Sequence, residues 1–195
     1  MNPVAIIRPL ILAAASSALC TAAFATPTTY ELDPNHTHPS FEADHMGGLS
    51  KWRGMIRTAK GSVMLDKEAQ TGRVQVTMDM SSIDFGNEAL NKHAQTADMF
   101  DVAKYPTATY TGKLVDWKDG APTAVDGMLT LHGVTKPVKL TVDSFLCKPV
   151  QKQMRCGADA VTQIQRDDFG VDFGKNFGFK MGVTLRIQVE GVEKQ

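Results

Sequence analysis

The chain is poor in cysteine, has no excess of charge of either sign, and carries no long apolar segment after its first 25 residues. Its 21 basic and 21 acidic residues create no large field of one sign, so we expect no nucleic-acid partner. The apolar runs after residue 25 are all shorter than the roughly 20 residues of a spanning helix. The mature chain is therefore expected to be soluble.

The first 25 residues have the pattern of a secretory signal peptide. Arg8 is their one charged side chain, an apolar run starts at Leu10, and Ala23 and Ala25 supply the small residues that precede a cleavage site. We expect cleavage after Ala25 and a periplasmic mature protein. Residues 26–195 contain no repeat, low-complexity linker or charge block, which predicts a single domain.

Of the three cysteines, Cys20 leaves with the signal peptide. The other two, Cys147 and Cys156, form a pair in an export compartment, where disulfides persist. Pro149 and mostly polar residues lie between them, as in a hairpin connection. We predict a structural disulfide, because redox-active pairs usually have Cys-x-x-Cys spacing.

Several segments alternate apolar and polar residues with period two, the pattern of strands with one buried face. VKLTV, from Val138, and VTLRIQVE, from Val183, are two of them. In RVQVTMDM the apolar positions are expected to face inward and the polar ones outward: Val74, Val76, Met78 and Met80 against Gln75, Thr77 and Asp79. The turn segments KEAQTG, KDGAP and HGVTKP separate such runs as in antiparallel hairpins.

The segment from Gly86 to Phe100 lacks this alternation and carries Leu90, Ala94 and Ala97 at helical spacing, which predicts a helix or helical loop. The pattern as a whole predicts an all-β fold, an antiparallel eight-stranded barrel with one helical insertion. Such a barrel can hold one ligand, and flexible methionines suit its lining. The methionines in or beside the predicted strands include Met55, Met64, Met78, Met80, Met99, Met128 and Met181.

Three of the five histidines lie in the segment DPNHTHPSFEADH. His36, His38 and Glu42 match part of the cupin metal motif, in which two alternating histidines share an ion. The rest of that motif is missing, since Tyr30 stands where cupins have glycine and Pro39 interrupts the strand. We expect no metal and no cofactor, and a cupin-like metal-dependent enzyme that uses His36 and His38 is an alternative.

Signs of catalysis are weak, and no Gly-x-Ser-x-Gly elbow is present. An enzyme acting on a ligand's head group would need titratable groups at the cavity mouth. The candidates are His45, His93, Arg166 and Asp168, and they form no recognised catalytic arrangement. We expect no enzymatic activity and no catalytic residue.

Four motifs follow one another along the chain: LDPNHTHPSFEADHMGGLSKWRG, SSIDFGNEALNKHAQTADMFDVAKYPTATY, VDGMLTLHGVTKPVKL and GADAVTQIQRDDFGV. In this order they resemble the YceI family of secreted, lipocalin-like proteins that bind polyisoprenoid-type lipids. His36 and His45 fall on family positions. Phe85, Asn91 and Ala94 depart from the family pattern in and beside the helical segment.

The resemblance implies a lipocalin-like barrel that binds an isoprenoid-type lipid, a polyprenyl compound or a quinone, without catalysis. The residues expected to contact the ligand are Phe41, His45, Val76, Met78, Met80, His93, Phe100 and Phe169. A stress-related periplasmic interaction protein is the alternative, and it would show an apolar surface patch instead of a closed cavity. The resemblance also allows transient membrane contact, a membrane cytochrome as partner and a homodimer.

Overall fold

A computed structural model describes residues 26–194, and these residues form one antiparallel sheet that closes on itself. Its strands are β1 (Thr28–Leu32), β2 (His38–His45), β3 (Ser50–Ile56), β4 (Ala59–Asp66), β5 (Thr71–Asp79), β6 (Ile83–Asp84), β7 (Thr107–Lys118), β8 (Ala121–Leu131), β9 (Val134–Val150), β10 (Gln153–Gln165) and β11 (Gly182–Glu193). A helix, α1 (Glu88–Ala94), and three 3₁₀ turns, Met80–Ser82, Arg166–Phe169 and Lys175–Phe177, lie in the connections. The predicted signal peptide, residues 1–25, lies outside the described residues.

These strand segments occupy eight positions around the barrel, because three positions hold two segments each. β1 and β2 both pair with β11. β4 then pairs with β1, and β3 pairs with β2. β5 and β6 continue the series against β4 and β3. The pairing of Tyr30 with Glu193 closes the ring. The predicted all-β, eight-stranded antiparallel barrel with a helical insertion is confirmed.

The turn between β8 and β9 is tighter than the motif HGVTKP suggested. His132 and Gly133 alone reverse the chain, both at positive φ (51° and 75°). A two-residue turn with both residues at positive φ matches the right-handed twist of the flanking strands. Leu131 and Val134, on either side of the turn, are therefore already paired in the sheet. Pro137 therefore lies inside β9, opposite Met128, and not in the turn.

A disulfide joins Cys147 in β9 to Cys156 in β10, as predicted. The two residues are direct partners in the strand ladder. Only Gln151 and Lys152 form the turn between these strands, and Pro149 belongs to β9. The disulfide thus lies in the barrel wall instead of closing a loose connection.

The helix is shorter than the predicted segment Gly86–Phe100. The side chain of Asn87 caps its start by accepting a backbone hydrogen bond. Ala94 is fully buried, and after it the chain turns back so that the Phe100 amide donates to the Ala94 carbonyl oxygen (3.1 Å). Ala97 consequently lies outside the helix and is exposed. Within residues 26–194, no helix is long and apolar enough to cross a membrane.

The prediction of a methionine-rich interior is wrong for part of the set. Met64 and Met128 are 44% and 42% exposed, because each alternates with neighbours that point into the barrel. The methionines that line the interior cavity are Met78, Met80 and Met99, and Met55 and Met181 are not among the lining residues. Branched aliphatic and aromatic side chains fill most of the wall instead.

Candidate functional site

The barrel encloses a cavity of about 470 Å³ with an almost wholly apolar wall. Alternate residues of each strand share a face, so every barrel position contributes side chains. The largest aliphatic contributions are Val74, Val76 and Met78 from β5, Val138, Leu140 and Val142 from β9, and Val183, Leu185, Ile187 and Val189 from β11. Gln75, Thr77 and Asp79 are not on the wall, as the predicted register of β5 requires.

Phe41 of β2 lies on the cavity wall among residues that accommodate its ring. Its partner on β3 is Gly54, where an added Cβ would lie 2.5 Å from the Phe41 ring. Glycine is therefore required at this position. Phe85 packs edge-on against Phe41, with ring centroids 5.1 Å apart. This departure from the family pattern adds a further aromatic ring to the wall.

Tyr110 of β7 brings a hydroxyl into the apolar interior. The hydroxyl donates to the carbonyl oxygen of Val138 (2.9 Å), with the Val125 carbonyl oxygen at 3.3 Å. Gly127 makes room for this geometry, since an added Cβ would lie 2.3 Å from the hydroxyl. Burial raises the pKa of Tyr110, so the group stays neutral. The Tyr110 hydroxyl therefore donates its hydrogen bond to another group of the barrel wall.

The cavity reaches the surface at the end of β2 and β3. Trp52 of β3 lines the cavity and is also 37% exposed. Its indole stacks on the His45 imidazole, with ring centroids 4.5 Å apart. The Phe179 ring packs edge-on against the same imidazole, with ring centroids 5.5 Å apart. We call this end, marked by His45, Trp52 and Phe179, the mouth.

His45 and His93 both line the cavity, as do the other predicted contacts Val76, Met78, Met80 and Phe100. The Nδ1 atom of His45 lies 3.4 Å from the Ser50 hydroxyl. The Nε2 atom of His93 lies 2.9 Å from the Asp98 carboxylate, and the ring packs edge-on against Phe173 at 4.7 Å. Two imidazoles therefore border a cavity whose wall is mostly apolar.

Phe169 is a correction to the predicted contacts. It is 2% exposed and packs in the hydrophobic core, but it is not among the residues that line the cavity. It belongs to the 3₁₀ turn that follows β10, and its carbonyl oxygen lies 3.2 Å from Nδ1 of His132 in the β8–β9 turn. Phe169 thus ties two connections together instead of facing the lumen.

Arg166 holds the connection between β10 and β11 in place. Its guanidinium donates to the carbonyl oxygens of Val171 (2.8 Å) and Phe173 (2.6 Å), and burial lowers its pKa. Arg166, His45 and His93 all line the cavity, but Asp168 is exposed and does not. Of the four candidate residues of a head-group enzyme, Asp168 is therefore separated from the cavity that the other three line.

The cupin-like histidines lie away from the cavity wall. His36 is exposed and its Nδ1 lies 3.0 Å from the Asp33 carboxylate. The Nε2 atom of His38 lies 3.1 Å from the Asn35 carbonyl oxygen. Across residues 26–194, no group of three or more His, Cys, Asp or Glu side chains is placed to hold a metal ion.

The mature protein, purified without chelator, is expected to contain less than stoichiometric zinc, nickel, manganese or iron. Elemental analysis checks this, with a His36→Ala and His38→Ala double variant as the matched control. One tightly bound ion per chain that is lost in the double variant would restore the cupin-like alternative.

Two carboxylates outside the cavity make stability depend on acid pH. Hydrogen bonds from His36 and Arg155 lower the pKa of Asp33 to about 2. Hydrogen bonds from Asn91, the Gly86 amide and Arg57 lower the pKa of Asp84 to about 2. The unfolded chain binds these protons near the ordinary value of about 4, so the folded state loses stability as pH falls from about 4 to about 2.

Urea unfolding at a series of pH values checks this expectation. The double variant Asp33→Asn and Asp84→Asn should be less stable at neutral pH and should lose less stability between about pH 4 and pH 2. An Asp66→Asn variant is the control, since that carboxylate at the end of β4 accepts a local hydrogen bond from the Ala69 amide. An acid profile of the double variant that parallels the wild type would contradict the assignment.

Comparison with known proteins places the barrel in a family. The model of the YceI-like domain matches residues 30–192. The chain belongs to the YceI family. Protein YceI of Escherichia coli O157:H7 and that of Salmonella arizonae are each 32% identical over 188 residues, which cover 92% of this chain and 95% of the relative.

Solved structures share the YceI barrel at lower sequence identity. BcnA of Burkholderia cenocepacia superposes with a TM-score of 0.65 at 22% identity, covering 82% of this chain and 98% of that one. The YceI protein of Campylobacter jejuni gives 0.65 at 24% identity, covering 75% and 88%. A polyisoprenoid binding domain from Saccharophagus degradans gives 0.62 at 16% identity, covering 85% and 98%. These similarities establish the fold.

Sequence reasoning missed several residues of this YceI cavity. Trp52 and Phe179 lie at the mouth, and Phe173, Tyr30 and Tyr110 also line the cavity. Trp52 could have been found, because it alternates with Gly54 and Ile56 on the face of β3 that turns inward. Phe173 and Phe179 lie in an irregular connection, where period-two alternation gives no signal.

Proposed function

We propose that this protein binds an isoprenoid-type lipid in its barrel cavity and carries or stores it in the periplasm, without catalysing a reaction. The observation that carries the proposal is the barrel cavity of about 470 Å³, whose wall is almost wholly apolar. Removing an apolar chain from water favours binding by about 25 cal/mol per Å², before the cost of ordering the ligand.

The family supports the same ligand class. The neighbour from Saccharophagus degradans is described as a polyisoprenoid binding domain, and it shares the barrel. A branched polyprenyl tail needs a long lumen without free polar groups. Tyr110 meets that requirement, because its hydroxyl donates to a wall carbonyl oxygen.

A polar head group would lie beside His45 at the mouth or beside His93 of α1, both of which line the cavity. One ring nitrogen of His45 lies near Ser50 and one of His93 near Asp98, and the other nitrogen of each ring can form a hydrogen bond with a quinone carbonyl oxygen or a polyprenol hydroxyl. Quinones and polyprenols are therefore both proposed as ligands. A membrane cytochrome as the partner that accepts a quinone extends this proposal through the family resemblance alone.

Titration of the lipid-free protein with a polyprenyl quinone tests the proposal. Trp52 at the mouth reports binding through its fluorescence, and a Trp117→Phe background makes it the one tryptophan of the chain. We expect saturable quenching with a stoichiometry near one, and competition by a polyprenol of the same tail length. A linear, non-saturating response identical to that of a tail-less quinone would contradict binding in the cavity.

A further inference from the structure

Three large apolar side chains project into solvent from two loops beside the mouth. Met46 and Leu49, in the β2–β3 turn, are 58% and 75% exposed. Phe177, in the 3₁₀ turn Lys175–Phe177, is 76% exposed. Exposing such side chains to water is unfavourable, so their presence together indicates a surface that is covered in use.

Contacts within the protein hold the β2–β3 turn against the connection that contains Phe177. One carboxylate oxygen of Asp44 accepts hydrogen bonds from the backbone amides of Gly47 and Lys180, both at 2.9 Å. The loops touch where an added Cβ at Gly47 would lie 3.1 Å from the Gly178 carbonyl oxygen. Both glycines have positive φ, which lets the backbones approach. Met46, Leu49 and Phe177 therefore form one preformed surface, which we call the tip.

The tip is continuous with the cavity. Trp52 is 37% exposed and also lines the cavity. Its stacking partner His45 immediately precedes Met46, and Phe179 closely follows Phe177. The exposed tip is thus adjacent along the chain to the residues that mark the mouth, so a lipid that meets the tip lies close to the entrance of the cavity.

The segments that carry the tip bear a small excess of positive charge. Residues 42–53 and 166–186 contain six cations, Lys51, Arg53, Arg166, Lys175, Lys180 and Arg186, and five carboxylates, Glu42, Asp44, Asp167, Asp168 and Asp172, which gives a net charge of +1. Glu42 alone faces three of these cations, Arg186 at 2.9 Å and Lys51 and Arg53 at 3.8 Å, and Asp44 accepts hydrogen bonds from backbone amides. This side of the mouth is therefore complementary to an anionic surface.

We propose that the tip docks on an anionic lipid bilayer and places the mouth of the cavity against it. Met46, Leu49 and Phe177 enter the interface between head groups and acyl chains, while the flanking cations meet the lipid phosphates. This inference rests on the proposed lipid-binding function and names the surface from which the ligand enters. The docking is transient, because three side chains bury too little area for permanent anchoring.

Co-sedimentation of the mature protein with vesicles tests the proposal. The vesicles contain equal amounts of phosphatidylglycerol and phosphatidylcholine. The test variant is Leu49→Ser with Phe177→Ser, and the matched control is Leu146→Ser. Leu146 is 62% exposed but lies in β9 toward the opposite end of the barrel, close to the β9–β10 turn. We expect the partition coefficient to fall about tenfold or more in the test variant and to stay unchanged in the control.

Each alternative result has a defined meaning. Equal vesicle binding by the test variant and the wild type overturns the proposal. Absence of vesicle binding by the wild type also overturns it, and a wild-type dimer that the test variant cannot form in sedimentation velocity would assign the tip to self-association. Retention of lipid loaded from solvent is measured on the same samples. A wild type that docks on vesicles but retains no lipid refutes the proposed function while the docking surface stands.

Discussion

The Met78→Lys variant is expected to lose lipid retention, with affinity lowered about a hundredfold or more. Met78 lies on the cavity wall as the last inward-facing residue of β5. An ammonium group there would be taken out of water each time a lipid tail filled the lumen, and the effective cost of burying an unpaired ion is several kcal/mol. The measurement is equilibrium binding of a polyprenyl quinone, with circular dichroism to establish that the barrel folds.

Two variants of the same strand make the result specific. Gln75→Lys adds the same charge to the exposed outer face and should bind like the wild type. Met78→Gln adds a polar group without a charge and should weaken binding by an intermediate amount. Equal retention by a folded Met78→Lys protein and by the wild type would show that the lipid lies elsewhere.

Removal of the disulfide is expected to lower the free energy of unfolding by roughly 2.5 to 3 kcal/mol. The bond closes a loop between residues nine apart in sequence, and the chain-entropy account gives this value for about ten residues. For a domain of this size the melting temperature should fall by about 5 to 12 °C. Thermal unfolding of the Cys147→Ser and Cys156→Ser double variant, compared with the wild type, checks the effect.

The wild type with and without reductant provides the control, because reduction should reproduce the effect of the double variant. Reductant should leave the melting temperature of the double variant unchanged. Alkylation and mass spectrometry of the unreduced wild type should show no free thiol at Cys147 or Cys156. An unchanged melting temperature in the double variant would mean that the ladder between β9 and β10 holds this hairpin without the bond.

The barrel could be predicted from sequence because its strands have one apolar face. In β5, β9 and β11 the period-two alternation identified inward residues such as Val76, Leu140 and Ile187. The alternation predicts which face of the sheet a residue lies on. It does not predict how far along the barrel the residue lies or where a strand is interrupted. β1 and β2 share one position around the barrel, and β3 and β4 share another. No periodic pattern in the sequence indicates that these positions are split between two strands.

The errors follow from the same limit. Residue type alone predicts Met64 and Met128 in the interior, but they lie at alternate strand positions that face outward. Phe169 lies in a 3₁₀ turn, where period-two alternation gives no signal, and its side chain is buried in the core. The mouth depends on contacts between distant loops, such as Asp44 with Lys180, that no local pattern encodes.

The central claim is that the cavity holds an isoprenoid-type lipid, and organic extraction of the mature protein followed by mass spectrometry tests it most directly. The protein is purified without detergent from the periplasm of an expressing bacterium, beside the Met78→Lys variant prepared in the same way. We predict close to one polyprenyl or quinone lipid per wild-type chain and almost none in the variant. A wild-type cavity that is consistently empty, or that yields the same lipids as the variant, would contradict the account.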